Sequence, residues 1–319
     1  MTDWRPSASQ GAREARARLL RRLRDHFDLE DVLEVETPLM SSAATTDPNI
    51  DSAEVVCGAI SGFLHTSPEF AMKRLIADGC GDCYQIARVF RAGESGSRHN
   101  PEFTLLEWYR LGYTLADIGR DLVRVLSAAF GRELDCDHWS YRDACRELGG
   151  FDAFDLNLPV LKARLADAGV PMPIGLDDGQ TDAWIDYAFS ALVAPHFAGD
   201  RLTLVSGYPA TQASLAAIEQ TPDGAVALRT EAYMGELELA NGFEELRDAN
   251  EQRARFEAER QARLAVGQAA PPLDTHLIAA LANGLPSCSG MAVGLDRVLM
   301  VLLGEPRIDG VLNFPWGRA

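Results

Sequence analysis

Lysine is almost absent from this sequence. Lys73 and Lys162 are the only two, so nearly all of the 30 basic residues are arginines. Neither lysine follows a Gly-x4-Gly-Lys-Ser/Thr loop, the type whose backbone amides cradle nucleotide phosphates. That kind of phosphate site is therefore excluded. Arginine side chains are the remaining candidates for binding phosphate, because a guanidinium group matches phosphate oxygens well.

Positive charge is scarce overall. The chain has 47 Asp and Glu residues against 30 Lys and Arg, which gives a formal net charge of -17. The averaged field of such a protein repels a phosphate backbone unless a local basic patch intervenes. We therefore expect neither tRNA nor any other nucleic acid as a partner.

Cysteine spacing shows no disulfide framework, and no signal peptide is recognisable. The pair Cys80 and Cys83 has the spacing of a zinc or redox motif, but no second pair or His pair accompanies it. We expect reduced thiols, a cytoplasmic location and no membrane attachment. The six cysteines are Cys57, Cys80, Cys83, Cys136, Cys145 and Cys288.

The chain has enough apolar residues to bury a large core. Its 319 residues are 47% hydrophobic, which suits one large domain or two small ones. Helical patterns separated by Gly, Pro and Asp-rich breaks fill the middle of the chain. We predict a single domain over 1–319 with a helical insertion at about 115–200.

The N-terminal part predicts a helix followed by a strand. Residues 11–28 have apolar side chains one turn apart and arginines on the other faces. A short apolar strand follows and is stopped by Pro38. The apolar positions of the helix are Ala15, Leu19, Leu23 and Phe27.

The stretch from Cys83 to Tyr113 predicts a hairpin with a long polar tip. The runs 85–90 and 103–109 are strand-like, and a loop rich in glycine and charge separates them. The base of this hairpin would present Arg91, His99, Glu107 and Tyr109 toward one cleft.

Residues 65–69 predict the start of a second helix. Ser67 suits the N-cap, Pro68 suits the first helical position, and Glu69 suits the positive end of the helix dipole.

Two carboxylates predict a cation site. If Gly235 turns a hairpin, Glu231 and Glu238 come together from its two strands. Adjacent carboxylates repel unless a cation lies between them, and Mg²⁺ prefers a few carboxylates together with phosphate oxygens. The alternative is a pair of exposed acids in an acidic protein.

A stretch of small residues precedes the last long apolar helix. Gly290, Ala292 and Gly294 alternate along a strand, so a flat ring can lie on it. Arg297 follows at the start of the helix, where it can neutralise a phosphate or stack on adenine.

These segments together resemble the class II aminoacyl-tRNA synthetases, and most closely the lysyl branch. The helix with EVETPLM resembles motif 1, FR with RHNPEFT and LEWY resembles motif 2, and GMAVGLDR resembles motif 3. ELANGFEEL, between motifs 2 and 3, matches the lysyl-type enzymes. The resemblance implies an α+β fold, an antiparallel sheet flanked by helices, and a homodimer.

The resemblance also implies the role of each site residue. Arg91 and Arg297 would be catalytic, and Glu231 with Glu238 would bind Mg²⁺. The residues implied for ATP are Arg91, Glu94, His99, Asn100, Phe103, Glu238, Leu239, Gly294 and Arg297. Those implied for the amino acid are Ser67, Pro68, Glu69, Glu107, Tyr109, Asn241, Glu245 and Ala292. A diamino acid would make a buried carboxylate at Glu245 necessary, whereas an apolar substrate would make it costly.

Two departures from the family pattern bear on function. Only about a dozen residues precede the first helix, where lysyl-tRNA synthetases carry an anticodon-binding barrel. Ala292 replaces the middle glycine of motif 3, and Glu94 lies one place later than the usual motif 2 glutamate. The chain thus resembles the free-standing paralogues that activate (R)-β-lysine with ATP and attach it to a lysine of translation elongation factor P.

Two other functions remain open from the sequence. A truncated lysyl-tRNA synthetase would share every pocket residue and would use lysine itself. A catalytically silent paralogue acting as a regulator would not need the magnesium carboxylates, so their presence disfavours it.

Overall fold

The computed structural model describes residues 4–222 and 224–319. Its α-helices are α1 Gln10–Leu29, α2 Glu69–Ala77, α3 Leu115–Phe130, α4 Tyr141–Ala144, α5 Leu158–Asp167, α6 Thr181–Ala188, α7 Ala249–Ala265, α8 Thr275–Gly284 and α9 Leu295–Leu303. Short π-helices, Cys145–Gly149 and Phe189–Val193, extend α4 and α6. Single 3-10 turns lie at Ala194–His196, Ala210–Gln212, Ile308–Gly310 and Trp316–Arg318.

The strands form one large and one small sheet. They are β1 Leu33–Glu34, β2 Met40–Ser41, β3 Glu54–Cys57, β4 Ile60–Leu64, β5 Cys83–Phe90, β6 Glu102–Leu111, β7 Cys136–Ser140, β8 Leu202–Pro209, β9 Ile218–Thr221, β10 Gly224–Met234, β11 Leu237–Glu244 and β12 Cys288–Gly294. The large sheet has the order β1-β5-β6-β12-β11-β10-β8-β7, with β9 added to β10. Strands β2, β4 and β3 form the small sheet.

The large sheet is mainly antiparallel. Only its two edge pairs, β1 with β5 and β7 with β8, are parallel among the described strands. Helices pack against it, which confirms the predicted α+β architecture. No helix in residues 4–222 and 224–319 is both long and apolar enough to span a membrane.

Strand β6 shows how the sheet separates core from cleft. Leu106 and Trp108 point to the main apolar cluster, where they meet Phe27 of α1 and Leu122 of α3. Because side chains alternate along a strand, the residues between them face the opposite side. Glu107 is one of these, and it lines a deep cavity.

The predicted first helix is confirmed. Helix α1 begins after Ser9, whose side chain accepts a hydrogen bond from the backbone of Ala12. It buries the four apolar residues that define its predicted face. The start of α2 was predicted one residue early. Pro68 is its N-cap and Glu69 its first residue, while the Ser67 hydroxyl accepts from the Glu69 amide at 3.4 Å.

The segment 115–200 divides into two parts. Helix α3 packs with α1 in the main cluster beside the large sheet. The helices from Tyr141 to His196 have a second apolar cluster, which packs on β8 and β10 through Val205 and Tyr233. The second part therefore packs on the face of β8 and β10 opposite to α3, because Val205 and Tyr233 alternate with Leu204 and Ala232 of the main cluster.

Candidate active site

One cavity of about 680 Å³ contains every residue assigned to the site from the sequence. Strands β6, β11 and β12 form its floor, with Glu107, Asn241 and Ala292 in register on neighbouring strands. The loop after β5, the start of α2 and the start of α9 form its walls. Residues distant in sequence thus face the same space.

One end of the cavity is acidic and closed. Glu69 lies at the start of α2, Glu107 lies on β6, and Glu245 directly follows β11. Lys73 was not predicted here, yet its ammonium bridges two of these acids. Its Nζ lies 2.7 Å from Oε1 of Glu69 and 2.5 Å from Oε2 of Glu245. The spacing of Glu69 and Lys73, one helical turn, was the available sequence signal.

Glu107 is held on one side only. Its Oε1 accepts a hydrogen bond from the Tyr109 hydroxyl at 2.8 Å. Its Oε2 is buried and has no hydrogen-bond partner among the described residues. Burial raises the pKa of Glu107 well above its usual value, and the charges of Glu69 and Glu245 add to the rise. An ammonium group of a ligand would satisfy this oxygen.

Glu245 is also buried, and burial raises its pKa to about 7 although Lys73 opposes the rise. A backbone hydrogen bond from Gly290 supports the carboxylate. Gly290 must lack a side chain, because a Cβ there would lie 2.4 Å from Cε1 of Tyr109 and 2.6 Å from Oε1 of Glu245. The glycine therefore lets the strand approach both groups.

The other end of the cavity carries arginines. Arg297, in the first turn of α9, donates from Nη1 to the backbone oxygen of Glu238 at 2.9 Å. Arg91, directly after β5, packs over the ring of Phe103 with Cζ 5.1 Å from the centroid. The Nε of Arg91 is buried without a hydrogen-bond partner in the described part of the chain. This end suits an anionic ligand.

The loop between β5 and β6 borders the arginines. Glu94 lies 3.7 Å from Arg91, measured from Oε1 to Nη1. Asn100 donates from Nδ2 to the backbone oxygen of Glu102 at 2.6 Å and accepts from the Trp316 amide at 2.9 Å. Asn100 therefore shapes the loop, and it fastens the loop to the C-terminal segment.

The predicted hairpin of β10 and β11 exists, with Gly235 at a φ of 59° in its turn. A bulge follows Ala232, so Glu231 pairs with Asn241, and Glu238 pairs with Tyr233. Both carboxylates line the cavity. Partial burial and the charge of Glu231 together raise the pKa of Glu238.

Glu231 is already well supplied with donors. Its Oε1 accepts from Nη2 of Arg229 at 2.5 Å, and its Oε2 accepts from the hydroxyls of Tyr208, at 2.6 Å, and Tyr233. Asn241 accepts from Nε of the same Arg229 at 3.2 Å. Arg229 is a site residue that the sequence analysis missed. Glu238 is more open, with 41% of its side chain exposed.

Helix α7 closes the acidic end of the cavity, and its contribution to the site was not predicted from the sequence. Glu259 accepts a hydrogen bond from the Thr46 hydroxyl, and burial raises the pKa of Glu259 to about 7. Arg263 donates to the backbone oxygen of Asp47 at 2.8 Å and pairs with Asp51. These contacts hold the loop before β3 over the cavity, and only the tertiary structure reveals them.

Comparison with known proteins identifies the relatives of this chain. The family model for class II tRNA synthetases (D, K and N) matches residues 1–318. A protein of Vibrio cholerae is 40% identical over 324 residues, covering 100% of this chain and 99% of its own length. A protein of Pectobacterium atrosepticum is 41% identical over 330 residues with the same coverage. Both are named elongation factor P (R)-β-lysine ligase.

Proposed function

This chain belongs to the family of class II tRNA synthetases (D, K and N), and we propose that within it the chain is an ATP-dependent ligase. It would activate (R)-β-lysine as an adenylate and transfer it to a lysine side chain of translation elongation factor P. One observation carries the proposal. Arg91 and Arg297 face one cavity together with Glu69 and the buried carboxylates Glu107 and Glu245, which suits a nucleotide beside a doubly cationic amino acid.

The arginine end would bind ATP. Arg91 would neutralise the α-phosphate and Arg297 would bind the γ-phosphate or the adenine ring, since both side chains line the cavity. The strand residues Leu239 and Gly294 offer a flat surface for the ring. Phosphoryl transfer depends chiefly on such positioning and charge neutralisation.

Glu238, together with Glu231, would hold Mg²⁺. Partial burial and the charge of Glu231 raise the pKa of Glu238, and two neighbouring acids of this kind suit a cation. Glu238 is the more open of the two, because three side chains already donate to Glu231. When bound, the ion would neutralise phosphate oxygens.

The acidic end would bind the two ammonium groups. Glu69, Glu107 and Glu245 accept them, and the Tyr109 hydroxyl orients Glu107. The substrate carboxylate then points along the floor toward Arg91. It attacks the α-phosphorus of ATP, and pyrophosphate leaves with the electron pair of the broken P–O bond.

The second step uses the product of the first. A neutral lysine amine of elongation factor P attacks the acyl carbon of the adenylate and loses a proton. AMP leaves, and an amide bond remains. Ala292, in register with Glu107 on the floor, adds a methyl group where the amino-acid pocket meets the adenylate. That methyl changes the room available to a substrate whose amino group is on the β carbon.

The protein would act as a homodimer in the cytoplasm. Leu29, at the end of α1, is 87% exposed, and Leu33 on the edge strand β1 is 55% exposed. A second subunit would cover these apolar side chains, which lie on the segment that resembles motif 1. The six cysteines are free thiols, as expected in a reducing compartment.

Substrate-dependent exchange between ATP and labelled pyrophosphate tests the activity. We expect much stronger exchange with (R)-β-lysine than with α-lysine, and transfer of β-lysine to elongation factor P. Strong exchange with α-lysine and transfer to tRNA would instead indicate a truncated lysyl-tRNA synthetase. No exchange with either amino acid would indicate a regulator.

A further inference from the structure

Lys73 places a fully buried ammonium behind the acidic end of the cavity. Its side chain is 1% exposed, and its neighbours Met72 and Ile76 belong to an apolar cluster. A buried charge is costly unless it is paired. Lys73 is paired twice, with Glu69 on its own helix and with Glu245 beyond β11.

The ammonium of Lys73 stays charged. Burial by itself lowers the pKa of Lys73, but the charges of Glu245 and Glu69 outweigh burial and raise it. Lys73 is therefore a permanent cation directly behind the acidic end of the cavity. Of the two lysines in the chain, only Lys73 lies at the site, because Lys162 lies on α5 beside Asp178.

The charges of the acidic end can be counted. Three carboxylates, Glu69, Glu107 and Glu245, oppose one internal ammonium. When these four groups are ionised, their net charge is -2, which two ammonium groups of a substrate neutralise; Glu259 and Arg74, which line the same cavity, add charges of opposite sign. Without Lys73 the same substrate would leave one carboxylate unmatched, and that carboxylate would tend to take up a proton.

Lys73 also fixes the spacing of two acids. Its Nζ joins the first turn of α2 to the residue that follows β11. The carboxylates of Glu69 and Glu245 are thus held on either side of the Lys73 ammonium. A substrate ammonium must fit the positions that this bridge leaves.

Other titratable groups surround the bridge. Glu107 and Tyr109 face it from β6, and Cys288 faces it from β12. Glu259 on α7 and His276 on α8 line the same cavity. No arginine or histidine among the described residues bridges Glu69 and Glu245, so Lys73 is the cation that pairs with both carboxylates.

We propose that Lys73 is a specificity-determining positioning residue, which holds the carboxylates of Glu69 and Glu245 at a fixed spacing for a substrate with two ammonium groups. This inference rests on the proposed function. It assigns no chemical step to Lys73, whose Nζ does not line the cavity. Its effect is exerted through the two carboxylates that it contacts.

Lys73→Gln removes the charge and keeps a hydrogen-bond donor, so it perturbs packing little. We expect the KM for (R)-β-lysine in pyrophosphate exchange to rise about tenfold or more, with kcat and the KM for ATP within about twofold. The acid limb of kcat/KM against pH should move upward by about one unit, because Glu245 loses the cation that opposes its protonation. Lys73→Arg retains the charge and should keep the acid limb in place.

Lys162→Gln is the matched control, and it should leave all of these values unchanged. If Lys73→Gln has a KM for (R)-β-lysine within about twofold of that of the unaltered protein, and its acid limb does not move, the inference is overturned. Loss of ATP binding in that variant, measured by calorimetry, would also overturn it, since Lys73 would then serve folding alone. Absence of exchange in the unaltered protein would count against the proposed function, while calorimetric binding of (R)-β-lysine would still test Lys73.

Discussion

Nη2 of Arg297 lies 2.7 Å from Nε2 of His99, although 198 positions separate the two residues in the sequence. An arginine side chain only donates hydrogen bonds, so the histidine nitrogen accepts and the ring is neutral. Burial lowers the pKa of His99, and the Arg297 charge lowers it further. The start of α9 and the loop after β5 are therefore in contact at the arginine end of the cavity.

Replacing Arg297 by alanine should impair the nucleotide step. The variant loses a fixed cation that faces the cavity and the contact that holds His99. We expect kcat/KM for ATP in pyrophosphate exchange to fall by about 10²-fold to 10³-fold, as for other removed donors that stabilise developing charge. Arg120→Ala, an exposed arginine on α3, is the control and should change nothing. A fall of less than about threefold would remove Arg297 from the nucleotide site.

Replacing Glu245 by glutamine should weaken binding at the acidic end of the cavity and leave binding at the arginine end unaffected. The amide keeps the shape of the side chain but cannot pair with a substrate ammonium, and it leaves Lys73 with one partner fewer. Calorimetry should show (R)-β-lysine binding weakened by at least about 30-fold, since losing one member of a buried charge pair costs about 2 kcal/mol or more. ATP binding should be retained. The exposed residue Glu219 provides the control, Glu219→Gln, and near-normal binding of the amino acid to Glu245→Gln would contradict the assignment.

Binding of (R)-β-lysine should weaken as the pH falls through about 7. The pKa of Glu245 is raised to about 7, and that of Glu107 is raised well above its usual value. A raised pKa means that the neutral carboxyl persists to higher pH, and an ammonium group prefers the ionised form. The dissociation constant should therefore rise up to about tenfold for each pH unit below 7 for every proton that must be released.

Calorimetry in buffers of different ionisation enthalpy counts these protons directly. We expect net proton release on binding near pH 7, since the ligand displaces protons from the carboxyl groups. A dissociation constant that is flat between about pH 6 and pH 8, together with no proton release, would show that both acids are already ionised in the empty site.

Replacing Gly290 by alanine should displace the side chains that form the acidic end of the cavity. The new Cβ would meet the ring of Tyr109 at 2.4 Å and the Glu245 carboxylate at 2.6 Å. We expect the free energy of unfolding to fall by about 1–3 kcal/mol, as for other overpacked cores. The KM for (R)-β-lysine should rise while the KM for ATP changes little. Gly179→Ala, where a Cβ would meet no atom within 4 Å, is the control. Unchanged stability and KM in Gly290→Ala would show that the strand can shift to make room.

Several local features followed from sequence patterns because they depend on neighbouring residues. The apolar spacing of α1 and the two strand-like runs of the hairpin β5–β6 each report a single element, and both were predicted correctly. The class II resemblance, carried by motifs in order, is confirmed by the family match over residues 1–318. The N-cap of α2 was misplaced by one residue, which is within the one or two residues by which helix ends commonly vary.

The contacts that cross between elements could not be predicted in the same way. Arg229 reaches Asn241 only because β10 pairs with β11, and Glu259 reaches Thr46 only because α7 folds back over the cavity. A pattern within one segment does not indicate which distant segment it will contact. Such contacts depend on how whole helices and strands pack in the folded protein.

The sequence by itself determined which chemical groups are present: arginines in place of lysines for phosphate, and glutamates at the positions typical of a lysine-binding synthetase. Tertiary structure decided how those groups are charged and paired, because pKa values and ion pairs depend on burial and distance. The clearest case is Lys73, an ordinary helical residue in the sequence. Once folded it is the buried cation between Glu69 and Glu245, and it sets the charge that a substrate must match.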